Sequence, residues 1–334
     1  MKTELVLAGD IGGTKTLLAL ARTDSIKPET VFERRYASRT FADFADVVEH
    51  FLGEAGDHRH NVAAVKRAGF GIAGPVVGQR VKVTYLPWEI DAVALAQRFG
   101  FAEVRLANDF AAAAAGIPAL EEPDLVTLQA GRPEPRGVRV VLGAGTGLGV
   151  ASLVWHDDDW RVMGGEGGHV GFAPANPLQA QLWSYLHARN GRVTVEQVVS
   201  GAGLLSNYRF LLESRAARDE ARLLESDDAP AAISRHGLRY PDSLAGEALS
   251  LFAEVYGAFA GDLALLMLPK AGVYIAGGIA PKVLARITDG GFLAAFRDKG
   301  VHHGLMEDFP LHIVINEKLP LIGAARIATT APAV

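Results

Sequence analysis

Two glycine-rich turns of the same design, one near the start of the chain and one near its middle, constrain the fold more than any other feature. Each lies between two apolar segments, the first over 5–20 and the second over 138–154. Apolar segments on either side of a short Gly/Thr turn are typical of a β-hairpin. Such a turn exposes backbone N–H groups and leaves room for a phosphate to approach. Two of them predict a duplicated fold that holds a polyphosphate from two sides.

The spacing of these glycines excludes the two commonest nucleotide-binding motifs. Counted from Gly143 or Gly145, the third glycine of the dinucleotide fingerprint would fall on an apolar residue. Lys15 follows Thr14 and not the glycine that a Walker loop requires. Glycine is also the usual turn residue, so either turn alone could be an ordinary hairpin turn. The match between the two turns favours phosphate binding.

Length and composition predict a two-domain globular protein. The 334 residues are long for one core. A net charge of −5 argues against nucleic acid as a partner. The absence of cysteine excludes disulfides, iron–sulfur clusters and thiolate zinc sites. The first apolar segment is interrupted by Asp10 and Lys15, so we expect neither a signal peptide nor a membrane span, and a cytoplasmic location.

Predicted strands and helices alternate through both halves of the chain. In the first half, strands are predicted near 30–36, 65–72, 81–84 and 103–106, and helices over 41–52, 91–99 and 110–115. In the second half, helices are predicted over 177–188, 194–199, 202–213, 245–268, 281–287 and 322–328, strands over 272–276 and 311–315, and surface helices and loops over 214–245. The alternation favours an α/β fold with mixed sheets covered by helices.

Asn108 and Asp109 lie between a predicted strand and a predicted Ala-rich helix. Ligands commonly bind at this position in α/β proteins. Asp109 could serve only as the N-cap of the helix, a position that Asp favours. It could instead accept a hydroxyl proton during phosphoryl transfer. The residues alone leave both interpretations open.

Glu166 and His169 lie in the segment 164–172, which contains five glycines. Because no helix tolerates this composition, a helical metal pair is not expected. A metal-ligand role is the less favoured interpretation of the pair, because no third ligand follows at a recognisable spacing. Because the glycine-rich backbone turns tightly here and projects both side chains, the pair is suited to hydrogen bonding with vicinal hydroxyls of a sugar. Glu196, by contrast, is predicted to be a first-turn acid of a short helix capped by Thr194.

Five segments then combine into a family pattern. In order, they are DIGGT (10–14), LANDF (106–110), GAGTGLG (143–149), GGEGGH (164–169) and YIAGGI (274–279). Together they closely resemble bacterial ATP-dependent glucokinases of the hexokinase/actin/Hsp70 superfamily, over nearly the whole chain. The resemblance implies an actin-like (ribonuclease H-like) ATPase fold with duplicated mixed-sheet halves. It also implies a small domain of 1–108 plus 318–334, a large domain of 109–317, and a cleft between them.

The resemblance implies a reaction and a set of site residues. ATP would phosphorylate the 6-hydroxyl of glucose at the entry to glycolysis, and Asp109 would accept the proton of that hydroxyl. The other sugar hydroxyls would be bound by Asn108, Glu166, His169 and Glu196, the last by resemblance alone. The nucleotide would be bound by Gly9, Asp10, Ile11, Gly12, Gly13, Thr14 and Lys15 in the first turn, by Gly145, Thr146 and Gly147 in the second, and by Gly277 and Gly278 beside the adenosine.

The cofactors and partners follow from the same resemblance. Mg²⁺ would arrive with ATP and bridge its phosphates, with Asp10 nearby and acting through water. No metal ligands of the protein's own are expected. The usual assembly of the family implies a homodimer. Glucose and ATP are the expected small-molecule partners, and binding to nucleic acid or to a membrane is not expected.

The chain departs from related patterns at three places. Tyr85 stands where glucokinases usually have an Asn that contacts the sugar, which leaves the strictness of glucose specificity open. Lys15 stands where some relatives have Asn and adds a cation near the phosphates. The repressor/open reading frame/kinase branch usually has a cysteine-rich zinc motif, and this chain has no cysteine.

Two other functions are compatible with the same fold. A sugar-responsive transcription regulator would need a helix-turn-helix, and we expect none upstream of a hairpin that begins at residue 5. An actin-like or chaperone-like ATPase would not need Glu166 and His169 on a hydroxyl-binding loop. ATP turnover that depends on sugar distinguishes a kinase from both.

Overall fold

The computed structural model describes residues 4–84, 86–216 and 218–330, with the backbone alone for 218–220. The strands are Leu5–Ile11 (β1), Lys15–Arg22 (β2), Glu29–Ala37 (β3), Arg67–Ile72 (β4), Val76–Val77 (β5), Arg80–Lys82 (β6), Glu89–Asp91 (β7), Glu103–Asn108 (β8), Leu125–Gln129 (β9), Arg139–Ala144 (β10), Leu148–His156 (β11), Asp159–Gly165 (β12), Val273–Ala276 (β13) and Leu311–Val314 (β14). The helices are Phe44–Asp57 (α1), Ala92–Phe99 (α2), Asp109–Gly116 (α3), Pro177–Asn190 (α4), Gly201–Ser214 (α5), Ala229–Arg239 (α6), Leu244–Met267 (α7), Leu284–Ile287 (α8), Gly291–Arg297 (α9), His303–Met306 (α10) and Leu319–Ile327 (α11).

Two compact units divide the chain. The first contains residues 1–122, 153–164 and 316–334, and the second contains 123–152 and 165–315. The first sheet has the strand order β3-β2-β1-β4-β8, and the second has β12-β11-β10-β13-β14-β9. In each, a predicted hairpin is followed by further strands added beside its first strand. The shared order confirms the predicted α/β fold with duplicated mixed sheets.

The first sheet is mixed because its hairpin is antiparallel while β4 and β8 join β1 in parallel. Side chains alternate between its two faces along β1. Leu7 and Ile11 pack with α1 and α2 residues in one core, whereas Val6 and Ala8 pack against α11 in another. The sheet is therefore buried on both faces.

Helices α3 and α11 pack closely because their contact is built from small residues. A Cβ added to Gly323 of α11 would lie 1.7 Å from the carbonyl oxygen of Ala112 in α3. The side chain of Arg326, also in α11, donates from Nε to the Ala115 carbonyl oxygen over 2.8 Å. This packing fixes the helix that begins at Asp109.

The second unit has its core around α7, the longest helix. By length and composition α7 could span a membrane, but about two thirds of its apolar segment is buried inside the protein. Phe252 and Tyr256 of α7 pack edge to face, and Tyr256 contacts Phe292 of α9 in the same way. Such burial is typical of the central helix of a globular unit.

Several expectations about individual elements were wrong or incomplete. Strands β9 and β12 and helix α9 were not predicted. Within 214–245 the expected surface helices are confirmed by α6, but the predicted helix over 194–199 is a single 3₁₀ turn, Val195–Gln197. These elements are short or weakly periodic, so their apolar spacing carries little information.

Gly323→Ala should destabilise the protein. The added methyl group overlaps the Ala112 carbonyl, and overpacking of this kind costs about 1–3 kcal/mol. Gly53→Ala is the matched control, because Gly53 lies in α1 with nothing within 4 Å of an added Cβ. That change should be neutral or stabilise by up to about 1 kcal/mol. Urea unfolding of both variants measures the difference, and equal midpoints would argue against the close contact of α3 and α11.

Candidate active site

The first unit brings the ends of three parallel strands together. Ile11 of β1 is in register with Ile72 of β4, which is in register with Asn108 of β8. Asp10 at the end of β1 and Asp109 after β8 therefore lie near one another, and the charge of Asp109 helps to raise the pKa of Asp10. Burial is the larger cause, and together they raise that pKa to about 6 despite nearby Arg35.

Asn108, and not Asp109, is the N-cap of α3. Its side-chain oxygen accepts from the backbone N–H groups of Phe110 (2.9 Å) and Ala111 (3.4 Å), and its amide nitrogen donates to the Gly74 carbonyl (3.3 Å). The alternative that Asp109 is only a helix cap is therefore wrong. Asn108 has a structural task whether or not it also contacts a ligand.

Asp109 is the first residue of α3 and is held by the helix terminus. Its carboxylate accepts from the Phe110 N–H over 2.8 Å. Burial raises its pKa, and the hydrogen bonds from Phe110 and Asn108 oppose that rise. A carboxylate with a fixed orientation and an elevated pKa has the properties of a general base.

The first glycine turn is held by hydrogen bonds from Ser38, the residue that follows β3. The Gly12 N–H donates to the Lys15 carbonyl (2.9 Å), which closes the turn. The Ser38 hydroxyl donates to the Gly12 carbonyl (2.9 Å), and the Ser38 N–H donates to the Thr14 carbonyl (3.0 Å). Ser38 is fully buried, and nothing in the sequence singled it out.

The second glycine turn lies beside the start of a long helix. The Gly145 N–H donates to the Gly147 carbonyl (2.8 Å), and the N–H of Gly201, the first residue of α5, donates to the Gly145 carbonyl (2.9 Å). Helix α5 is 14 residues long and is capped by Ser200. A helix N-terminus attracts anions, so this turn sits in a favourable field for phosphates.

Gly277 and Gly278 follow β13, and Gly277 lies against the end of β10, just before the second turn. Gly277 has a φ of 83°, and a Cβ there would lie 2.6 Å from the Ala144 carbonyl oxygen. The Ile279 N–H donates to that same carbonyl over 3.2 Å. Only glycine meets both the backbone angle and the close approach, so the segment after β13 stays close to the end of β10.

Glu166 and His169 are brought together by a single 3₁₀ turn, Gly167–His169. This corrects the expectation that no helix forms in this segment, although the turn is too short to be an α-helix. Their side chains are 88% and 58% exposed, and the Glu166 Oε2 lies 3.9 Å from the His169 Nε2. Within the described part of the chain they have no other side-chain partner, so both can reach a ligand.

Glu196 contacts the second glycine turn directly. Its Oε2 accepts from the Leu148 N–H over 2.8 Å, and a Cβ on Gly147 would lie 2.5 Å from the same oxygen. The expectation of a first-turn acid is confirmed, within a 3₁₀ turn. The contact with Gly147 and Leu148 was not predicted, because the two segments are far apart in sequence.

The remaining predicted residues lie where the hairpins place them. Gly9, Asp10 and Ile11 are in β1, Gly12 to Thr14 form its turn, Lys15 begins β2 with an exposed side chain, and Gly145 to Gly147 connect β10 to β11. Tyr85 lies outside the described residues.

Comparison with known proteins identifies the family of this arrangement. A family model described as glucokinase matches residues 7–331. The chain is 41% identical to a glucokinase of Nostoc punctiforme over 97% of this chain and 98% of that protein. It is 42% identical to a glucokinase of Synechocystis sp. over 96% of each. The crystal structure of a glucokinase from an Antarctic psychrotroph superposes with a TM-score of 0.86 at 28% identity, covering 99% of this chain and 100% of that one.

The elevated pKa of Asp10 predicts a pH-dependent stability. A carboxyl with a pKa of about 6 when folded and 3.8 when unfolded stabilises the fold below pH 3.8, and this contribution is lost as the pH rises to about 6. Asp10→Asn removes the titration. Its stability relative to wild type should therefore increase across that range by up to about 3 kcal/mol. Denaturant unfolding at pH 4 and pH 7 measures this. A stability difference between variant and wild type that is the same at both pH values would contradict the desolvation of the Asp10 carboxylate.

Proposed function

This chain belongs to the glucokinase family and is an ATP-dependent glucose kinase, and we propose that Asp109 is its general base. The oxygen of the sugar 6-hydroxyl attacks the γ-phosphorus of ATP, and the bond from that phosphorus to the leaving ADP oxygen breaks. The hydroxyl proton passes to the Asp109 carboxylate. The observation that supports this role is the orientation of a partly buried carboxylate by the Phe110 N–H at the start of α3.

We assign the phosphates of ATP to the two glycine turns. Gly9 to Lys15 form the first, Gly145 to Gly147 form the second, and Gly277 and Gly278 border the adenosine. The N-terminus of α5 beside Gly145 supports the assignment, because its dipole favours negative charge there.

We assign the sugar hydroxyls to Asn108, Glu166, His169 and Glu196. Glu166 and His169 are exposed side chains on tight backbone, so they lose few existing contacts on binding. Glu196 uses Oε2 for the Leu148 N–H, which leaves Oε1 for a hydroxyl. Polar contacts of this kind discriminate strongly between sugars, because a missing hydroxyl leaves a polar partner without its bond.

Mg²⁺ would come with ATP. It usually binds through one or two carboxylates together with substrate phosphates, and the Asp10 carboxylate beside the first turn fits this donor set, acting through water. When bound, the ion would neutralise charge on the phosphates. The protein's own contribution is to hold Asp10 at the end of β1.

The setting of the enzyme is also part of the proposal. We expect a cytoplasmic homodimer that supplies glucose 6-phosphate to glycolysis. We also keep 1–108 plus 318–334 and 109–317 as the proposed small and large domains. The resemblance to glucokinases supports these points.

A coupled assay of ADP release tests the function directly. ADP should appear only when ATP and glucose are both present. ATP turnover that ignores sugar would favour an actin-like or chaperone-like ATPase. The same assay with mannose, glucosamine and fructose measures how strict the sugar specificity is.

Asp109→Asn should lower kcat by a factor of about 10² to 10⁴, because the base is lost while the side-chain shape is kept. Glucose should still bind, as measured by calorimetry. Asp91→Asn is the control, since Asp91 is also an aspartate at a helix start in the first unit, where it caps α2. Its kcat should stay within about twofold of wild type. Activity of Asp109→Asn within tenfold of wild type would show that Asp109 is not the base.

Glu166→Ala should raise the KM for glucose much more than the KM for ATP, since the proposed contact is with sugar hydroxyls. Glu307→Ala is the control, because Glu307 is also an exposed glutamate that lies 3.9 Å from a basic side chain, that of Arg297 in the second unit. It should change neither KM. Equal effects of Glu166→Ala on both constants would indicate a structural role.

A further inference from the structure

A cavity of about 450 Å³ lies in the first unit, where β1 and β4 begin. Its polar lining consists of Glu4, Arg22, Arg59, His60, Asn61 and Lys66. Leu5, at the start of β1, lines this cavity, whereas Ile11 at its end adjoins the first glycine turn. At about 3.3 Å per residue, these two ends of the strand are about 20 Å apart. The cavity is therefore separate from the candidate active site.

The cavity is positively charged in a protein whose net charge is −5. It is lined by three permanent cations and one acid. The acid, Glu4, is paired with Arg67 over 3.1 Å, and Arg22 is paired with Glu29 over 3.2 Å. Within the described residues, Arg59 and Lys66 pair with no carboxylate. Two cations are thus available to an anion.

Arg59 is held at the cavity by the end of α1. The His60 N–H donates to the Ala55 carbonyl (3.0 Å), and the Arg59 N–H donates to the Gly56 carbonyl (2.8 Å). This is the Schellman arrangement, in which the residue at the Arg59 position is usually glycine. Arg59 indeed has a φ of 63°. The chain therefore has a cation at a position where glycine would be the easier choice.

The other walls of the cavity suit a small polar organic molecule. The His60 ring packs on the Phe32 ring at a centroid distance of 5.1 Å, which holds the imidazole in place. His60 and Asn61 supply hydrogen-bonding groups, whereas Leu5 and Val31 supply apolar contact. The volume lies within the range of sites for small ligands.

We propose that this cavity binds a small organic phosphate, of the class of phosphorylated sugars. The phosphate lies between the Arg59 guanidinium and the Lys66 ammonium, two groups well suited to phosphate. The hydroxyl-bearing body contacts His60 and Asn61. The site is a second one, distinct from the site proposed for ATP and glucose.

Calorimetric titration with glucose 6-phosphate tests the proposal on the full chain in saturating glucose. Glucose keeps the sugar site occupied, so the heat of binding of glucose 6-phosphate reports the second site. This design rests on the proposed function. Inorganic phosphate and citrate serve as comparison ligands. Glucose 6-phosphate should bind more tightly than either. Tighter binding of citrate would overturn the phosphate class, and equal binding of inorganic phosphate would overturn the sugar component.

Two substitutions assign the binding to the cavity. Lys66→Gln and Arg59→Gly should each weaken glucose 6-phosphate binding several-fold, and the double variant at least tenfold. Arg59→Gly should not reduce thermal stability, because glycine suits the left-handed backbone at this position. The control is Arg235→Gln, which removes an exposed cation on α6 in the second unit and should leave binding unchanged.

Three results would overturn the proposal. They are an absence of glucose 6-phosphate binding in saturating glucose, equal binding by the double variant and wild type, and equal loss of binding in Arg235→Gln. Glucose-dependent ADP release, measured on the same preparations, tests the proposed function separately. The two measurements thus distinguish a failure of the proposal from a failure of the proposed function. Kinase activity without glucose 6-phosphate binding contradicts only the former, and binding without kinase activity contradicts only the latter.

Discussion

Three parallel strands of the first sheet, β1, β4 and β8, end in register, and this register determines what their last residues can do. It places the Asp10 carboxyl in a partly buried position near Asp109, where desolvation and that second charge raise the pKa of Asp10 to about 6. It also places Asn108 where its side chain caps α3 and holds Asp109 at the helix start. The close packing of α11 on α3 keeps the helix in place. The proposed base is thus oriented by the sheet, the cap and the helix contact together.

The second unit repeats the hairpin with a glycine turn, and here the neighbouring segments support the turn itself. A glycine turn again follows the first strand of the hairpin, and here a helix N-terminus and the Gly277 segment pack beside it. Glu196 joins this turn through the Leu148 N–H, so the one side chain assigned to sugar by resemblance alone also supports the proposed phosphate turn. A change at Glu196 should therefore affect the sugar and the nucleotide together, unlike a change at the exposed Glu166.

Much of this arrangement could be predicted from the sequence, because its strongest signals are local. Both hairpins, the Ala-rich helix and α7 follow from the spacing of glycine, alanine and apolar residues, and all are confirmed. The N-cap of α3 was open because Asn and Asp are adjacent and both cap helices well. Ser38 and the contact of Glu196 depend on segments that meet only after folding, so no local pattern could indicate them. Strand β9 was missed because it has only five residues, and β12 was missed because its sequence, DWRVMGG, contains few apolar residues and ends in two glycines.

The pH dependence of kcat/KM for glucose tests the central claim, that the partly buried Asp109 carboxylate accepts the hydroxyl proton. Since burial raises the pKa of Asp109 above the ordinary aspartate value of 3.8, activity should fall on the acid side at a pH clearly above that value. The fall should fit the protonation of a carboxyl group and should occur while the protein remains folded. A kcat/KM that stays constant down to about pH 4 would contradict the account.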